Sequence, residues 1–203
     1  MGDVSVLFLD IGGGLLTNGW DHGARQRAAQ EFELDCDEMD DRHHLTFDTY
    51  ERGLLSLDAY LRRVVFYRDR PFTLERFKTY MFEQSQPLDG NMETFRRIAR
   101  AHGLKVGAIS NEGRELAVHR IRKHHLADLI DLFIISSFVR FRKPDEDIFR
   151  LALDIAQVQP ERAVYIDDRL MFTEVAQSLG IHSFHHENLA KTLQALKQVG
   201  LDL

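Results

Sequence analysis

The sequence predicts an α/β protein with a Rossmann-like, doubly wound parallel sheet and an inserted block of helices. From residue 88 onward, short apolar runs alternate with segments of helical periodicity, a pattern typical of a parallel sheet covered by helices on both faces. A first apolar run, residues 4–9, reads as a buried strand of the same sheet. Residues 21–86 separate it from the next strand and show helical spacing without a convincing strand. A helical domain inserted after the first strand accounts for all three observations.

The predicted domains are an α/β core, residues 1–16 and 88–203, and a helical cap, residues 17–87. In the cap, Ser56 and Thr73 are of the residue types that cap helix N-termini, and a dense set of aromatic residues predicts a small bundle core. In the core, strands are predicted over residues 104–109, 132–135, 163–166 and 181–184. Helices are predicted between them, one of them over residues 112–125 and one that Asp145 caps.

Composition and charge exclude several classes of protein. The chain has 203 residues and a net charge of -6, which argues against a general nucleic-acid-binding surface. The single cysteine, Cys36, allows no intramolecular disulfide and favours a reducing compartment. No apolar run approaches the roughly 20 residues of a membrane span, and no signal peptide is apparent. We therefore expect a cytoplasmic monomer or homodimer that binds neither nucleic acid nor membrane.

Polar residues follow four of the predicted strands, and a lysine follows soon after the third. Because the carboxyl ends of parallel strands meet at one edge of the sheet, these residues can converge although they are far apart in sequence. They are Asp10, Ser110 with Asn111, Ser136 with Ser137, and Asp167 with Asp168, and the lysine is Lys143.

This set of residue types indicates phosphoryl chemistry. Carboxylates at two strand ends repel each other unless a cation lies between them, and Mg²⁺ with oxygen ligands is the simplest candidate. A lysine with nearby hydroxyl and amide donors suits a bound phosphoryl group. Asp10 could then attack phosphorus and form an aspartyl-phosphate.

Four short motifs in this order resemble those of the haloacid dehalogenase-like (HAD) hydrolases, and the resemblance covers nearly the whole chain. The first is Phe8-Leu9-Asp10-Ile11-Gly12-Gly13-Gly14-Leu15, and the second is Ile109-Ser110-Asn111. The third is Lys143-Pro144-Asp145, and the fourth is Tyr165-Ile166-Asp167-Asp168. Each motif is short, and their order, spacing and placement at strand ends carry the resemblance. The helical insertion is similar to the type 1 cap of this superfamily.

The resemblance implies a role for each matching residue. Asp10 would be the nucleophile, Ser110 would hydrogen-bond the transferred group, and Lys143 would steady the charge. Asp167 and Asp168 would supply metal carboxylates, with Asp10 and the carbonyl of Gly12 as the other ligands. Within the superfamily, the chain resembles small-molecule phosphatases such as the α-glucose-1-phosphate phosphatases and the phosphatase domain of soluble epoxide hydrolase. Asn111, Gly12, Gly13, Asn18 and Trp20 are the residues expected at the substrate.

Gly12 departs from the family pattern, which has a second aspartate at this position. In the family, the backbone carbonyl of that aspartate binds metal, and its side chain protonates the leaving oxygen and then activates water. Gly12 keeps the carbonyl and lacks the acid, and general acid–base catalysis is worth roughly 10²–10⁴-fold. We hypothesise that the enzyme favours leaving groups that need little protonation, or that Asp21, His22 or solvent supplies the proton.

The sequence therefore predicts a Mg²⁺-dependent phosphomonoester hydrolase that acts on a small phosphorylated metabolite, such as a sugar phosphate. Two alternatives stay open at this point. One is a metal-free dehalogenase of the same fold, against which the adjacent carboxylates Asp167 and Asp168 argue. The other is a catalytically silent binding or regulatory protein that kept the fold.

Overall fold

The computed structural model describes residues 4–203; residues 1–3, which belong to the predicted core, lie outside the described part. The strands of this part form one five-stranded parallel sheet. They are β1 (Val6–Leu9), β2 (Lys105–Ser110), β3 (Leu132–Ile135), β4 (Ala163–Asp167) and β5 (His182–His185). The order across the sheet is β3-β2-β1-β4-β5, so β1 is central. Strands β2 and β3 are added on one side of β1, and β4 and β5 on the other, so the direction of winding reverses beside β1.

Helices fill the connections between the strands. Five of them lie between β1 and β2: α1 (His22–Glu31), α2 (Cys36–His44), α3 (Phe47–Glu51), α4 (Leu57–Val64) and α5 (Leu74–Glu83). The others of residues 4–203 are α6 (Asn91–His102), α7 (Arg114–Lys123), α8 (Ser136–Val139), α9 (Glu146–Ala156), α10 (Leu170–Ser178) and α11 (Leu189–Gln198). Single turns of 3₁₀ helix occur at Leu126–Asp128 and Pro160–Arg162.

The two faces of the sheet bury two different hydrophobic clusters. Leu7 and Leu9 of β1 pack on one face with residues of α6, α7 and α11. Val6 and Phe8 pack on the other face with residues of α9 and α10. This alternation follows from the period of two in a strand, and helices on both faces make β1 apolar throughout. The structure confirms the predicted doubly wound α/β fold.

Helices α1–α5, which we call the helical insert, have a third hydrophobic cluster of their own. Phe77 is at its centre, with ring centroids 4.8 Å from Phe32 and 5.8 Å from Trp20. The predicted caps are present, because Ser56 accepts a hydrogen bond from the Ala59 N–H and Thr73 accepts one from the Arg76 N–H. Leu116 of α7 joins the same cluster and so connects the insert to the sheet's own helices.

The predicted cap boundaries fall where two chain segments lie side by side. The Thr17 N–H donates to the Gln86 carbonyl at 2.8 Å, and Leu16 forms an antiparallel bridge with Pro87. The chain therefore enters and leaves the insert through two neighbouring segments, an arrangement suited to a hinge. The division into core and cap at residues 17 and 87 stays a prediction.

Three details of the sequence prediction need correction. The helix predicted over residues 112–125 is shorter, because Glu112 turns inward before α7 begins. The last strand starts at His182, one residue late, because β5 lies at the edge of the sheet and is only half-buried. Asp145 precedes α9, but its side chain makes no capping bond to the described residues and pairs with Arg52 at 3.4 Å. Across residues 4–203, no helix combines the length and the apolar character needed to cross a bilayer.

Candidate active site

A cleft of about 540 Å³ lies at the carboxyl ends of β1, β2 and β4, at the point where the winding of the sheet reverses. Ligands of open α/β sheets bind at this position. The sheet edge contributes Asp10, Gly12, Ser110, Asn111, Glu112, Lys143 and Asp168, whereas the helical insert and the segment leading to it contribute Asn18, Trp20, His43, Phe47, Tyr50 and Glu51. The volume is that of a site for a small molecule.

Asp10 lies directly after β1 and is 7% exposed. Its Oδ1 accepts a hydrogen bond from the Ile11 N–H at 2.8 Å and lies 3.2 Å from Nζ of Lys143. The Asp10 N–H continues the sheet by donating to the Ile166 carbonyl at 2.9 Å, which places Asp10 beside Asp167. The backbone of the sheet therefore fixes the position of this carboxylate.

Burial raises the pKa of Asp10 to about 7, far above its ordinary value of 3.8. The Lys143 ammonium and a hydrogen bond from Ser110 oppose this shift, while the negative charges of Asp167 and Asp168 add to it. One ammonium group is thus too little positive charge for the carboxylates gathered here. A raised pKa with an identified cause is typical of a functional site.

Lys143 lies between two carboxylates and is 1% exposed. Its Nζ is 2.5 Å from Oδ2 of Asp167 as well as 3.2 Å from Oδ1 of Asp10. Burial lowers the pKa of this ammonium, but Asp10 and Asp167 together outweigh burial, so the pKa is raised. Asn111 fixes the Lys143 backbone, since its Nδ2 donates to the Lys143 carbonyl and its Oδ1 accepts the Lys143 N–H, both at 2.8 Å.

Asp167 and Asp168 differ in how fully their oxygens are engaged. Asp167 is fully buried and accepts hydrogen bonds from Lys143, from the Tyr165 hydroxyl and from the Arg169 N–H. Oδ2 of Asp168 accepts a hydrogen bond from Nδ2 of Asn18 at 2.9 Å. Its Oδ1 is buried and accepts no hydrogen bond from any residue among 4–203. Asp168 is therefore the carboxylate that retains a coordination position.

These residues fit a divalent cation. Asp10, Asp167 and Asp168 each offer a carboxylate oxygen, and these atoms lie within 4.8 Å of one another. All-oxygen donors of this kind are those that Mg²⁺ prefers. The buried Oδ1 of Asp168, which has no partner in the described chain, is the specific feature that a cation would satisfy. We call Asp10, Lys143, Asp167 and Asp168 the nucleophile cluster.

Gly13 allows Asp168 to approach the loop after β1. Its φ is +78°, and a Cβ placed there would lie 2.2 Å from the carboxyl carbon of Asp168. Any larger residue would be strained by the left-handed backbone and would force the Asp168 side chain to move. Gly13 thus acts here through its backbone and through the space that it leaves for a carboxylate.

A second buried charged group, absent from the predicted site, lies beside the first. Arg120 donates to Oε1 of Glu112, to the Thr17 carbonyl and, at 2.9 Å, to Oγ of Ser85. Glu112 and Arg120 are 4% and 1% exposed. Oγ of Ser110 donates to Oε1 of Glu112 at 3.2 Å. We call Glu112 and Arg120, together with Thr17, Ser85 and Ser110, the arginine cluster.

The family is decided by a comparison with known proteins. The sequence model for the haloacid dehalogenase-like hydrolases matches residues 25–185, well over half of the chain. The chain belongs to this family. The matched range contains Ser110, Lys143, Asp167 and Asp168, whereas Asp10 lies before it.

Individual relatives of this HAD chain include two hydrolases. A phosphorylated carbohydrates phosphatase from Thermotoga maritima is 26% identical over 120 residues, which are 56% of each of the two proteins. Flavin mononucleotide hydrolase 1 from Arabidopsis thaliana is 25% identical over 162 residues, which are 80% of this chain and 65% of the relative. The chain thus spans less than two thirds of the length of either relative.

A solved structure shares the HAD fold. It is a HAD family enzyme from Bacteroides thetaiotaomicron in complex with magnesium and inorganic phosphate. The TM-score is 0.78 at 17% identity, and the match covers 93% of this chain and 98% of that chain. At this identity the likeness concerns the fold.

The remaining predicted residues of this HAD chain have defined positions. Gly12 lines the cleft, and a Cβ there would lie 3.0 Å from Oδ1 of Asn18 and 3.5 Å from Nη1 of Arg120. Trp20 lines the cleft and donates to the Tyr60 hydroxyl at 2.9 Å. Asp21 caps α1 through the Ala24 N–H.

His22, the other residue considered as a proton donor, pairs with Asp40 at 2.7 Å. It is away from the cleft lining formed by the described residues. Of the two suggested proton donors, Asp21 alone is therefore at the cleft, and its carboxylate is engaged at the helix N-terminus.

Proposed function

We propose that the protein is a Mg²⁺-dependent phosphomonoester hydrolase of a small phosphorylated metabolite, with Asp10 as the nucleophile. The observation that carries this proposal is the geometry of the nucleophile cluster. A buried carboxylate at the tip of the central strand lies 3.2 Å from a buried ammonium group, among carboxylates that need more positive charge. With a cation held by these carboxylates, the geometry would suit attack on an electrophile that itself arrives with negative charge.

The chain's own residues would act in two steps. A carboxylate oxygen of Asp10 bonds to phosphorus while the ester oxygen leaves, which forms an aspartyl-phosphate. Water then bonds to phosphorus, the aspartyl-phosphate bond breaks, and inorganic phosphate departs. Lys143 and Ser110 would orient the phosphoryl oxygens and balance their charge, while Asn111 holds Lys143 in place through its backbone.

Asp10, Asp168 and the Gly12 carbonyl would hold Mg²⁺, with Asp167 in support. When bound, the ion would supply the positive charge that the nucleophile cluster lacks, and would thereby lower the pKa of Asp10 from about 7. Of Asp167 and Asp168, Asp168 would be the main metal ligand, because the oxygens of Asp167 already accept hydrogen bonds from Lys143, Tyr165 and Arg169.

Sugar phosphates are the substrate class that we favour. One relative is named for phosphorylated carbohydrates and another for flavin mononucleotide, which are both small phosphate monoesters. The cleft holds carboxylates and guanidinium groups together with aromatic side chains, a composition that suits a ligand with both hydroxyl groups and an apolar face. In this proposal residues 17–87 are a cap that closes over the ligand.

A screen of phosphate esters with Mg²⁺ and with EDTA tests the proposal. We expect Mg²⁺-dependent release of phosphate by the wild-type protein and none by Asp10→Asn, with folding of both verified by circular dichroism. Activity that persists in EDTA on a 2-haloacid would instead identify a dehalogenase. No hydrolysis across the whole panel would identify a silent HAD protein.

The leaving-group hypothesis has a test of its own in the same screen. Without an acid at Gly12, rates should fall as the pKa of the leaving alcohol rises, so anomeric and acyl phosphates should exceed alkyl phosphates. Gly12→Asp should raise alkyl phosphate hydrolysis by roughly 10²-fold or more, since Asn18 has to shift by only a few tenths of an ångström. Hydrolysis rates that do not depend on the pKa of the leaving alcohol would refute the hypothesis.

A further inference from the structure

Glu112 is a buried carboxylate in the cleft, and the two steps above do not use it. It follows Ser110 and Asn111 in the sequence, is 4% exposed and lines the cleft. Its Oε1 accepts from Ser110 and Arg120. Its Oε2 is buried and has no hydrogen-bond partner within the part of the chain that the structure describes. A buried acceptor without a donor destabilises the folded state, so a purely structural ion pair would gain by satisfying it.

Glu112 is also close to the position at which the acid is missing. Nη1 of Arg120 lies 3.5 Å from the point where a Cβ on Gly12 would stand, and the same Nη1 donates to Glu112. A side chain at position 12 would therefore meet the guanidinium group that holds Glu112. The arginine cluster thus places a carboxylate, two residues after β2, one guanidinium group away from the space that a longer residue at position 12 would enter.

Ser110 connects this carboxylate to the nucleophile. Its hydroxyl donates to Glu112 at 3.2 Å, and it is also the hydroxyl whose hydrogen bond stabilises ionised Asp10. A serine has one hydroxyl proton, so it serves one of the two carboxylates at a time. A phosphoryl group on Asp10 would thus be formed within reach of the Ser110 side chain, next to Glu112.

We propose that Glu112 is the catalytic base that activates water for hydrolysis of the aspartyl-phosphate, an inference that rests on the proposed function. Glu112 takes a proton from water as the water oxygen bonds to phosphorus. The bond between phosphorus and Asp10 breaks, Asp10 is regenerated as a carboxylate, and phosphate leaves. Glu112 then returns the proton to solvent. Arg120 holds Oε1 of Glu112, so Oε2 is the oxygen left to accept the proton.

Decay of the phosphoenzyme tests this role directly. The protein is phosphorylated with p-nitrophenyl phosphate and Mg²⁺, and the donor is then diluted with excess buffer that contains no EDTA. Samples are quenched with acid at intervals, and the amount of phosphoenzyme is followed by mass spectrometry. In Glu112→Gln we expect one equivalent of p-nitrophenol to be released at a near wild-type rate. Decay of the phosphoenzyme should then slow by roughly 10²–10⁴-fold. If Glu112 had only a structural role, the substitution would not slow decay of the phosphoenzyme while leaving its formation near the wild-type rate.

Two further variants keep the test decisive. Glu115→Gln removes a neighbouring carboxylate that accepts the Leu57 N–H at 3.0 Å, and both of its steps should match wild type. If Glu112→Gln unfolds because Arg120 is left unpaired, Glu112→Gln with Arg120→Met removes both charges, and the same slow decay is expected. Slow decay in either Glu112 variant supports the proposal.

Unchanged decay in a folded Glu112 variant, beside a wild-type protein that turns over, would overturn this inference alone. A wild-type protein that neither forms a phosphoenzyme nor releases phosphate would overturn the proposed function and the role of Glu112 with it.

Discussion

The nucleophile cluster and the arginine cluster are neighbours at the same edge of the sheet, yet their charges are arranged differently. In the arginine cluster, one carboxylate faces one guanidinium, and the carbonyl of Thr17 and the hydroxyl of Ser85 each accept a hydrogen bond from one of its other two nitrogens. In the nucleophile cluster, three carboxylates lie together, the one buried ammonium group pairs with two of them, and the third, Asp168, is 3.9 Å from the exposed Arg169.

The difference separates a buried ion pair, whose disruption costs stability, from a group of carboxylates with an excess of negative charge. A balanced buried pair becomes costly when one partner is removed. An unbalanced group carries repulsion in the absence of a ligand, and the pKa of Asp10, raised to about 7 by burial and by its acidic neighbours, reports that repulsion. The same chemical change should therefore have opposite effects on stability in the two clusters.

The largest expected effect comes from changing a carboxylate to an amide in each cluster, measured by urea unfolding in EDTA at pH 8. Glu112→Gln leaves the buried Arg120 unpaired and should lower the free energy of unfolding by about 3–5 kcal/mol. Asp168→Asn relieves repulsion and should raise it by about 0.5–2 kcal/mol.

Magnesium completes this first comparison. Wild type and Glu112→Gln should both gain stability when Mg²⁺ is added, whereas Asp168→Asn should lose most of that gain because it lacks the principal ligand. Destabilisation of the same size and sign in both variants would remove the distinction between the clusters.

A smaller effect is expected at Gly13, with Gly103 as the matched control. Both have positive φ, +78° and +62°, so alanine at either position should cost about 1–2 kcal/mol of backbone strain. A Cβ on Gly13 would collide with Asp168, whereas a Cβ on Gly103 meets no described atom within 4 Å. Only Gly13→Ala should weaken Mg²⁺ binding, by tenfold or more in calorimetry. Equal Mg²⁺ affinities would show that the contact with Asp168 is unimportant.

The smallest effect concerns the insert side of the cleft. Burial, together with Arg25 and His44, lowers the pKa of His43 from 6.5 to about 3, and its Nδ1 lies 2.7 Å from the Tyr60 hydroxyl. The unfolded chain therefore binds a proton below pH 6.5 that the folded chain does not. The contribution of His43 to stability should fall as pH drops below 6.5, by at most about 1.4 kcal/mol per pH unit, and should not change above it. His43→Gln should reduce this slope in EDTA, and identical slopes would contradict the assignment.

The sequence was sufficient to predict that the residues of the nucleophile cluster lie together, because their convergence follows from the order of parallel strands. Asp10, Ser110 and the pair at 167 and 168 lie at the carboxyl ends of their strands, and parallel strands bring such ends to one edge. Lys143 follows β3 at a distance, after the short helix α8. Regular hydrophobic periodicity likewise indicated the doubly wound sheet and the two capped helices of the insert.

The arginine cluster could not be predicted from the same pattern. Glu112 and Arg120 are eight residues apart, and their charges look like those of an exposed helix. They are buried because Ser85 and Thr17, from the two segments that join the insert to the sheet, bind the guanidinium. Such contacts depend on tertiary packing. The glutamate directly after Ser110-Asn111 was the one available signal, because it placed a carboxylate near a third strand end.

The most direct test of the central claim is the identity of the phosphorylated residue. The wild-type protein is mixed with a phosphoryl donor and Mg²⁺, quenched with acid within milliseconds, digested and sequenced by mass spectrometry. We predict one hydroxylamine-sensitive phosphoryl group on Asp10, absent from Asp10→Asn and from samples in EDTA. Release of phosphate by Asp10→Asn, or a phosphoryl group on any other residue, would contradict the account.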